Sequence, residues 1–112
     1  MQLLTAEVSE ALARFPLGSQ ESLRDQARVV VKFFFPAGRY TFLVTEAERQ
    51  EDGDYLLFGY CLSPFGADCD EWGYAMLSEL AALKVRGLTI ERDLCVSPDA
   101  HTVRELLDRA AA

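Results

Sequence analysis

Hydrophobic positions fall into several different rhythms along this chain. Val8, Leu12 and Phe15 recur at helical spacing, with Thr5 placed to cap the first turn and Pro16 to end it, so the spacing predicts a helix over residues 5–15. Residues 17–26 are polar and mixed, a connection with room for one helical turn at 21–26. From Arg28 to Phe35 the run is apolar on both faces apart from Lys32, which predicts a strand covered on both sides and lying centrally. Pro36-Ala37-Gly38 turns the chain, and two further runs, RYTFLVTEAE and DYLLFGYCL, meet at Asp52-Gly53. Asp-Gly between apolar runs is the strongest short-range hairpin signal, because both central turn residues must sit at positive φ. A two-residue turn there would pair Glu51 with Asp54, Thr45 with Tyr60 and Val44 with Cys61, and would set Glu46 opposite Gly59.

The pattern weakens after these three strands. Residues 63–70 (SPFGADCD) form a loop with Pro64 and Gly66 as breakers, and Trp72, Tyr74 and Met76 then alternate in a short strand. Ser78 is placed to cap a brief helix, SELAALK, that sets Leu80 and Leu83 on one side, with Gly87 as its stop. Residues 88–96 read as a last strand, with Ile90, Arg92 and Leu94 on one face and Thr89, Glu91 and Asp93 on the other. Ser97-Pro98-Asp99 opens a final helix whose apolar stripe is Val103, Leu106, Leu107 and Ala110. The expected fold is a single α+β domain spanning residues 1–112, with a mainly antiparallel sheet of about five strands and two or three flanking helices.

Composition narrows the class. The chain has 112 residues, 50% of them hydrophobic and 26% charged, which suits one globular domain with a real core. Its apolar runs all fall short of the roughly 18 to 20 residues that span a bilayer, and the N-terminus lacks a basic region and a long apolar segment. A cytoplasmic protein with no membrane partner is expected. The three cysteines, Cys61, Cys69 and Cys95, form no C-x-x-C units, and an odd count argues for reduced thiols. Cys61 reads as a small buried hydrophobe, and Cys69, between two aspartates, as an unreactive thiol.

Charge changes the picture more. The net charge is −7, and residues 46–71 contain eight acids (Glu46, Glu48, Glu51, Asp52, Asp54, Asp68, Asp70 and Glu71) against one base, Arg49. That segment carries the whole imbalance. Such a surface excludes direct binding to phosphate backbones, which require Lys and Arg, and favours a basic protein or a divalent cation.

Candidate chemistry is sparse. His101 is the only histidine and falls at the start of a predicted solvent-facing helix, which leaves no material for a triad or a zinc site. The glycines form no phosphate-binding loop, and the acidic runs lack the calcium-loop pattern, so no cofactor and no dedicated metal are expected. Glu46 is the one acid on an otherwise apolar strand face; a strand-end carboxylate bonded to an Arg or to backbone amides is its ordinary reading, and a ligand contact its sharper one. Arg92, alternating onto the apolar face with Ile90 and Leu94, needs a buried partner, and Glu46, Asp70 or Glu71 could form that ion pair.

In order along the chain stand VKFFFP at 31–36, YTFLVTE at 40–46, LFGYCL at 57–62, EWGYAMLSEL at 71–80 and GLTIERDL at 87–94. Over residues 31–98 the chain resembles a family of uncharacterised bacterial proteins known only as a domain of unknown function and carried by plasmids, integrative elements and phages. The resemblance implies a compact α+β fold and a mobile-element setting, and it implies no activity. In that setting the eight acids read as a partner-binding surface that imitates nucleic-acid phosphates and occupies a host defence complex of CRISPR or restriction type. A solubilising hairpin tip is the plainer reading of the same charges. Tyr55, Phe65, Trp72 and Tyr74 are the aromatic candidates beside them. The alternative is a small-molecule- or metal-dependent enzyme using Glu46, Glu71 and Arg92.

Overall fold

The computed structural model describes residues 2–111. Thr5 caps α1 (Ala6–Ala13), its Oγ1 accepting the Val8 N–H at 3.2 Å, and Val8, Ala11 and Leu12 form the buried side. A 3-10 turn at Glu21–Gln26 precedes β1 (Arg28–Val29), β2 (Val31–Phe34), β3 (Thr41–Arg49) and β4 (Tyr55–Leu62). After a second 3-10 turn at Ala67–Cys69 come β5 (Glu71–Met76), α2 (Leu77–Ala82), β6 (Lys84–Val85) and β7 (Leu88–Thr89). The chain ends with β8 (Glu91–Arg92), β9 (His101–Thr102) and α3 (Val103–Ala111).

Five strands form one antiparallel sheet in the order β5-β4-β3-β2-β8, and β1 pairs with β9 and β6 with β7 in two small ribbons. The fold is therefore α+β with a mainly antiparallel sheet. Alternation along the strands divides the core between two faces. Val31, Phe33, Phe42, Val44 and Leu57 pack with Val8, Ala11 and Leu12 of α1. On the other face Leu43 joins Val29, Val96, Val103 and Leu106, beneath α3.

The apolar run at 28–35 divides into two strands. β1 leaves the sheet to pair with β9, so Val29 serves the α3 cluster while Val30 and Val31 serve the α1 cluster. β2 lies inside the sheet, between β3 and β8.

The β3–β4 hairpin forms with a different register from the one its Asp-Gly step implies. Its loop has three residues: the Gln50 N–H donates to Asp54 O at 2.8 Å and the Gly53 N–H to Gln50 O at 3.0 Å. Only Gly53 takes positive φ (90°), which spares Asp52 the left-handed conformation that a two-residue turn would impose. The register then shifts again between Val44 and Glu46, where Thr45 bulges. Glu46 consequently pairs with Phe58, and Val44 with Gly59, in place of the expected Glu46–Gly59, Thr45–Tyr60 and Val44–Cys61 pairs. A Cβ at Gly59 would lie 2.0 Å from Leu43 O, so the bulge and the glycine require each other.

Later elements also depart from the pattern. Arg86 and Gly87, with φ of 53° and 82°, form the turn between β6 and β7, so Gly87 closes a hairpin and does not stop a helix. Residues 88–96 are no single strand: Ile90 is buried, Leu94 is 68% exposed, and only Glu91–Arg92 joins the sheet. Glu79 accepts the Met76 N–H at 3.0 Å and opens α2, while Ser78 is drawn to Asp54. Leu80 is buried and Leu83 is exposed. α3 begins later than Ser97-Pro98-Asp99, because His101 and Thr102 are needed as the partner of β1. Thr102 and Glu105 supply its cap, the Glu105 N–H donating to Thr102 Oγ1 at 3.1 Å and the Thr102 N–H to Glu105 Oε1 at 3.2 Å. His101 therefore lies on a strand, half-buried and 3.4 Å from Glu105.

Candidate interaction surface

The eight acids do not converge. Glu48, Glu51, Asp52 and Asp54 stand at the hairpin end, while Asp68, Asp70 and Glu71 stand where β4 enters β5. The eight residues of β4 separate the groups by roughly 25 Å, at about 3.3 Å per residue. Glu46 lies inside the molecule at 3% exposure.

Several of these carboxylates have structural employment. Asp70 makes a two-pronged pair with Arg39, at 2.6 and 2.8 Å, and accepts the Ser63 N–H at 2.7 Å. The Arg39 guanidinium foremost, with that amide, holds the Asp70 carboxyl below its ordinary pKa. Asp54 accepts from the Ser78 hydroxyl, the Ser78 N–H at 3.1 Å and the Tyr55 N–H at 2.8 Å, tying the hairpin to α2. The Ser78 hydroxyl, then the Tyr55 amide, lower its pKa. Asp52 accepts the Asp54 N–H within the turn at 2.9 Å and remains exposed, as do Glu48 and Glu51.

Glu46 has a different task. Its Oε1 accepts the Gly18 N–H at 2.6 Å and its Oε2 the Gln20 N–H at 2.9 Å, fixing the connection after α1 onto β3. Gln20, unremarked in the sequence pattern, completes this knot. Its Nε2 donates to Arg28 O and Thr45 O, both at 2.8 Å, and its Oε1 accepts the Arg28 N–H at 2.6 Å. The expected Arg92–Glu46 ion pair is thus replaced by main-chain donors on Glu46. Arg92 sits on β8, its Nε donating to Gln2 O at 3.4 Å.

Glu46, Glu71 and Arg92 are held apart. Glu46 pairs with Phe58, whereas Glu71 pairs with Cys61 and lines a separate cavity with Phe42 and Tyr40. Arg92 is on the opposite edge strand from Glu71. In that cavity burial foremost, aided by Cys61, pushes the Tyr40 hydroxyl up to about 12, and burial followed by Asp70 raises the Cys61 thiol. Cys61, Cys69 and Cys95 are free.

Beside the Glu46 knot lies a cavity of about 110 Å³ lined by Glu21, Arg24, Thr45, Phe58 and Trp72 as well as Gln20 and Glu46. Its rings are ordered: Phe58 and Trp72 stack with centroids 5.6 Å apart and planes 15° apart. Tyr74 tilts against Phe58 at 4.8 Å and is 65% exposed. Tyr55 is buried against Ser9, its hydroxyl 3.0 Å from Ser9 Oγ, whereas Phe65 is 88% exposed. Among the described residues no cluster of three or more His, Cys, Asp or Glu side chains is arranged to hold a metal ion.

The profile of the family described as "Protein of unknown function (DUF2958)" matches residues 3–111. The chain belongs to the DUF2958 family. The match takes in α1 and α3, which lie outside the stretch on which the sequence resemblance rested. No curated protein and no solved structure matches the chain. This DUF2958 domain has, among its described residues, no helix long and apolar enough to cross a membrane.

Proposed function

We propose that this DUF2958 protein is a cytoplasmic, non-catalytic interaction protein of a mobile genetic element. It blocks a host defence complex, of CRISPR or restriction type, by seating its hairpin end in a basic groove that otherwise receives nucleic acid. One observation carries the reading: three exposed acids, Glu48, Glu51 and Asp52, gather within five residues at the hairpin end. Several acids elsewhere are matched to cations, Asp70 to Arg39, Asp93 to Lys32, Asp99 to Arg28 and Asp108 to Arg104. Among the described residues, Glu48, Glu51 and Asp52 have no cationic partner. Their charge is presented outward from the end of a stiff hairpin, where it can steer and hold a basic surface. The separation of the two acidic groups confines the phosphate-like surface to this end. The mobile-element setting implied by the sequence resemblance supplies the reason to block a host complex.

The test is a combined Glu48→Gln, Glu51→Gln and Asp52→Asn variant, with Asp54 left intact because it holds α2. Tagged wild-type protein should capture a basic nucleic-acid-binding complex from host lysate, release it as salt rises, and inhibit its activity. The variant should melt at the same temperature and lose both properties. Full capture and inhibition by a folded variant would overturn the proposal.

A further inference from the structure

Several irregularities meet at the 110 Å³ cavity beside Glu46. Gln20, Thr45 and Glu46, three of the four buried polar residues among those described, all line it. Thr45 is the bulged residue of β3. Arg24, at the rim, adopts φ 52° and ψ −125°, a conformation that favours glycine and that a folded chain keeps only under constraint. Bulges and strained residues concentrate where a fold shapes a site.

Size and chemistry limit the occupant. Small-molecule sites usually enclose about 300 to 1,000 Å³. This cavity is nearer to the roughly 150 Å³ that admits a single benzene ring, so it suits one side chain and not a nucleotide. Its walls include the rings of Phe58 and Trp72, which brace each other, and its carboxylates, Glu46 and exposed Glu21, outnumber its one cation, Arg24. Each Glu46 oxygen accepts one amide and retains further acceptor capacity. Aromatic rings together with carboxylate acceptors match a planar cation. We infer that this cleft anchors a single arginine side chain of a basic protein partner, with its guanidinium against the Phe58–Trp72 wall. The inference builds on the proposed basic partner by naming the side chain recognised. A lysine ammonium has the charge but no plane to stack, so the site discriminates between the two.

Trp72 is the only tryptophan, so its emission reports on this cleft alone. The whole protein would be titrated at low salt with N-acetyl-arginine amide and, separately, with N-acetyl-lysine amide. The expected result is a saturable Trp72 change with the arginine compound and a much weaker one with lysine. Glu21→Gln should weaken arginine binding about two- to fivefold, as for an exposed charge pair, and Arg24→Ala should strengthen it. No saturable response, equal responses to the two compounds, or indifference to Glu21→Gln would each overturn the inference. The titration needs no partner, so its failure is distinct from that of the proposed function. Partner capture without an arginine response sinks the anchor alone, and an arginine response without partner capture sinks the inhibitor reading alone.

Discussion

A carboxyl group that is 3% exposed must replace its lost hydration, and Glu46 does so with the amides of Gly18 and Gln20. Glu46→Gln would aim an NH₂ group at one of those N–H donors, leaving that donor without its acceptor and the buried NH₂ facing it unpaired. The expected loss is about 2 to 3 kcal/mol, read from the midpoint of urea unfolding at constant slope. Stability within about 0.5 kcal/mol of wild type would show that these two bonds do not hold the connection, since such small changes typify surface substitutions. The sequence made Glu46 conspicuous as a lone acid among apolar neighbours. Its partners were hidden because they are main-chain groups, which every residue but proline carries and no side-chain pattern marks. Pairing Glu46 with Arg92 followed from matching side-chain charges alone, and Gln20 went unmarked for the same reason.

Among the elements, α1, the β3–β4 hairpin and β5 were legible because each is long enough to show its period. Strands of two residues, as in β6, β7, β8 and β9, show none, and the fold of residues 84–102 was correspondingly misread. Register failed for a narrower reason: one extra turn residue and one bulged residue leave composition unchanged while shifting the partners. Gly59 records the bulge in the sequence, as a glycine within an apolar strand. Gly59→Ala should cost more than about 3 kcal/mol, because the obstructing Leu43 O belongs to the backbone and cannot rotate away. Gly73, its partner on β5, provides the control, since a Cβ there meets nothing within 4 Å. Thermal unfolding followed by circular dichroism should separate the two alanine variants clearly, and similar losses would argue against the bulged register.

For the whole molecule the total charge was plain from the sequence, but its arrangement depended on β4, which carries the chain from one end of the sheet to the other between Asp54 and Asp68. Acid sensitivity follows from the acids that are paired. Asp54 and Asp70 titrate below the ordinary aspartate value of 3.8. Asp93 does too: burial pushes its pKa up, but the Cys95 amide and Lys32 more than offset it. A carboxyl whose folded pKa is depressed contributes stability that is fully present above its unfolded pKa and is lost as pH falls through the folded value. Stability should therefore hold from pH 7 to about pH 5 and decline below about pH 4. Arg39→Gln isolates one contribution, because it removes the largest cause of the Asp70 shift and lets that pKa return toward its unfolded value. The variant should be less stable than wild type at pH 7, and the gap should narrow as Asp70 becomes protonated in the wild type. Denaturant melts across pH 2 to 7 would show this convergence if the pair clamps the 63–70 loop; a gap independent of pH would mean that Arg39 acts through packing or its bond to Ser63 O.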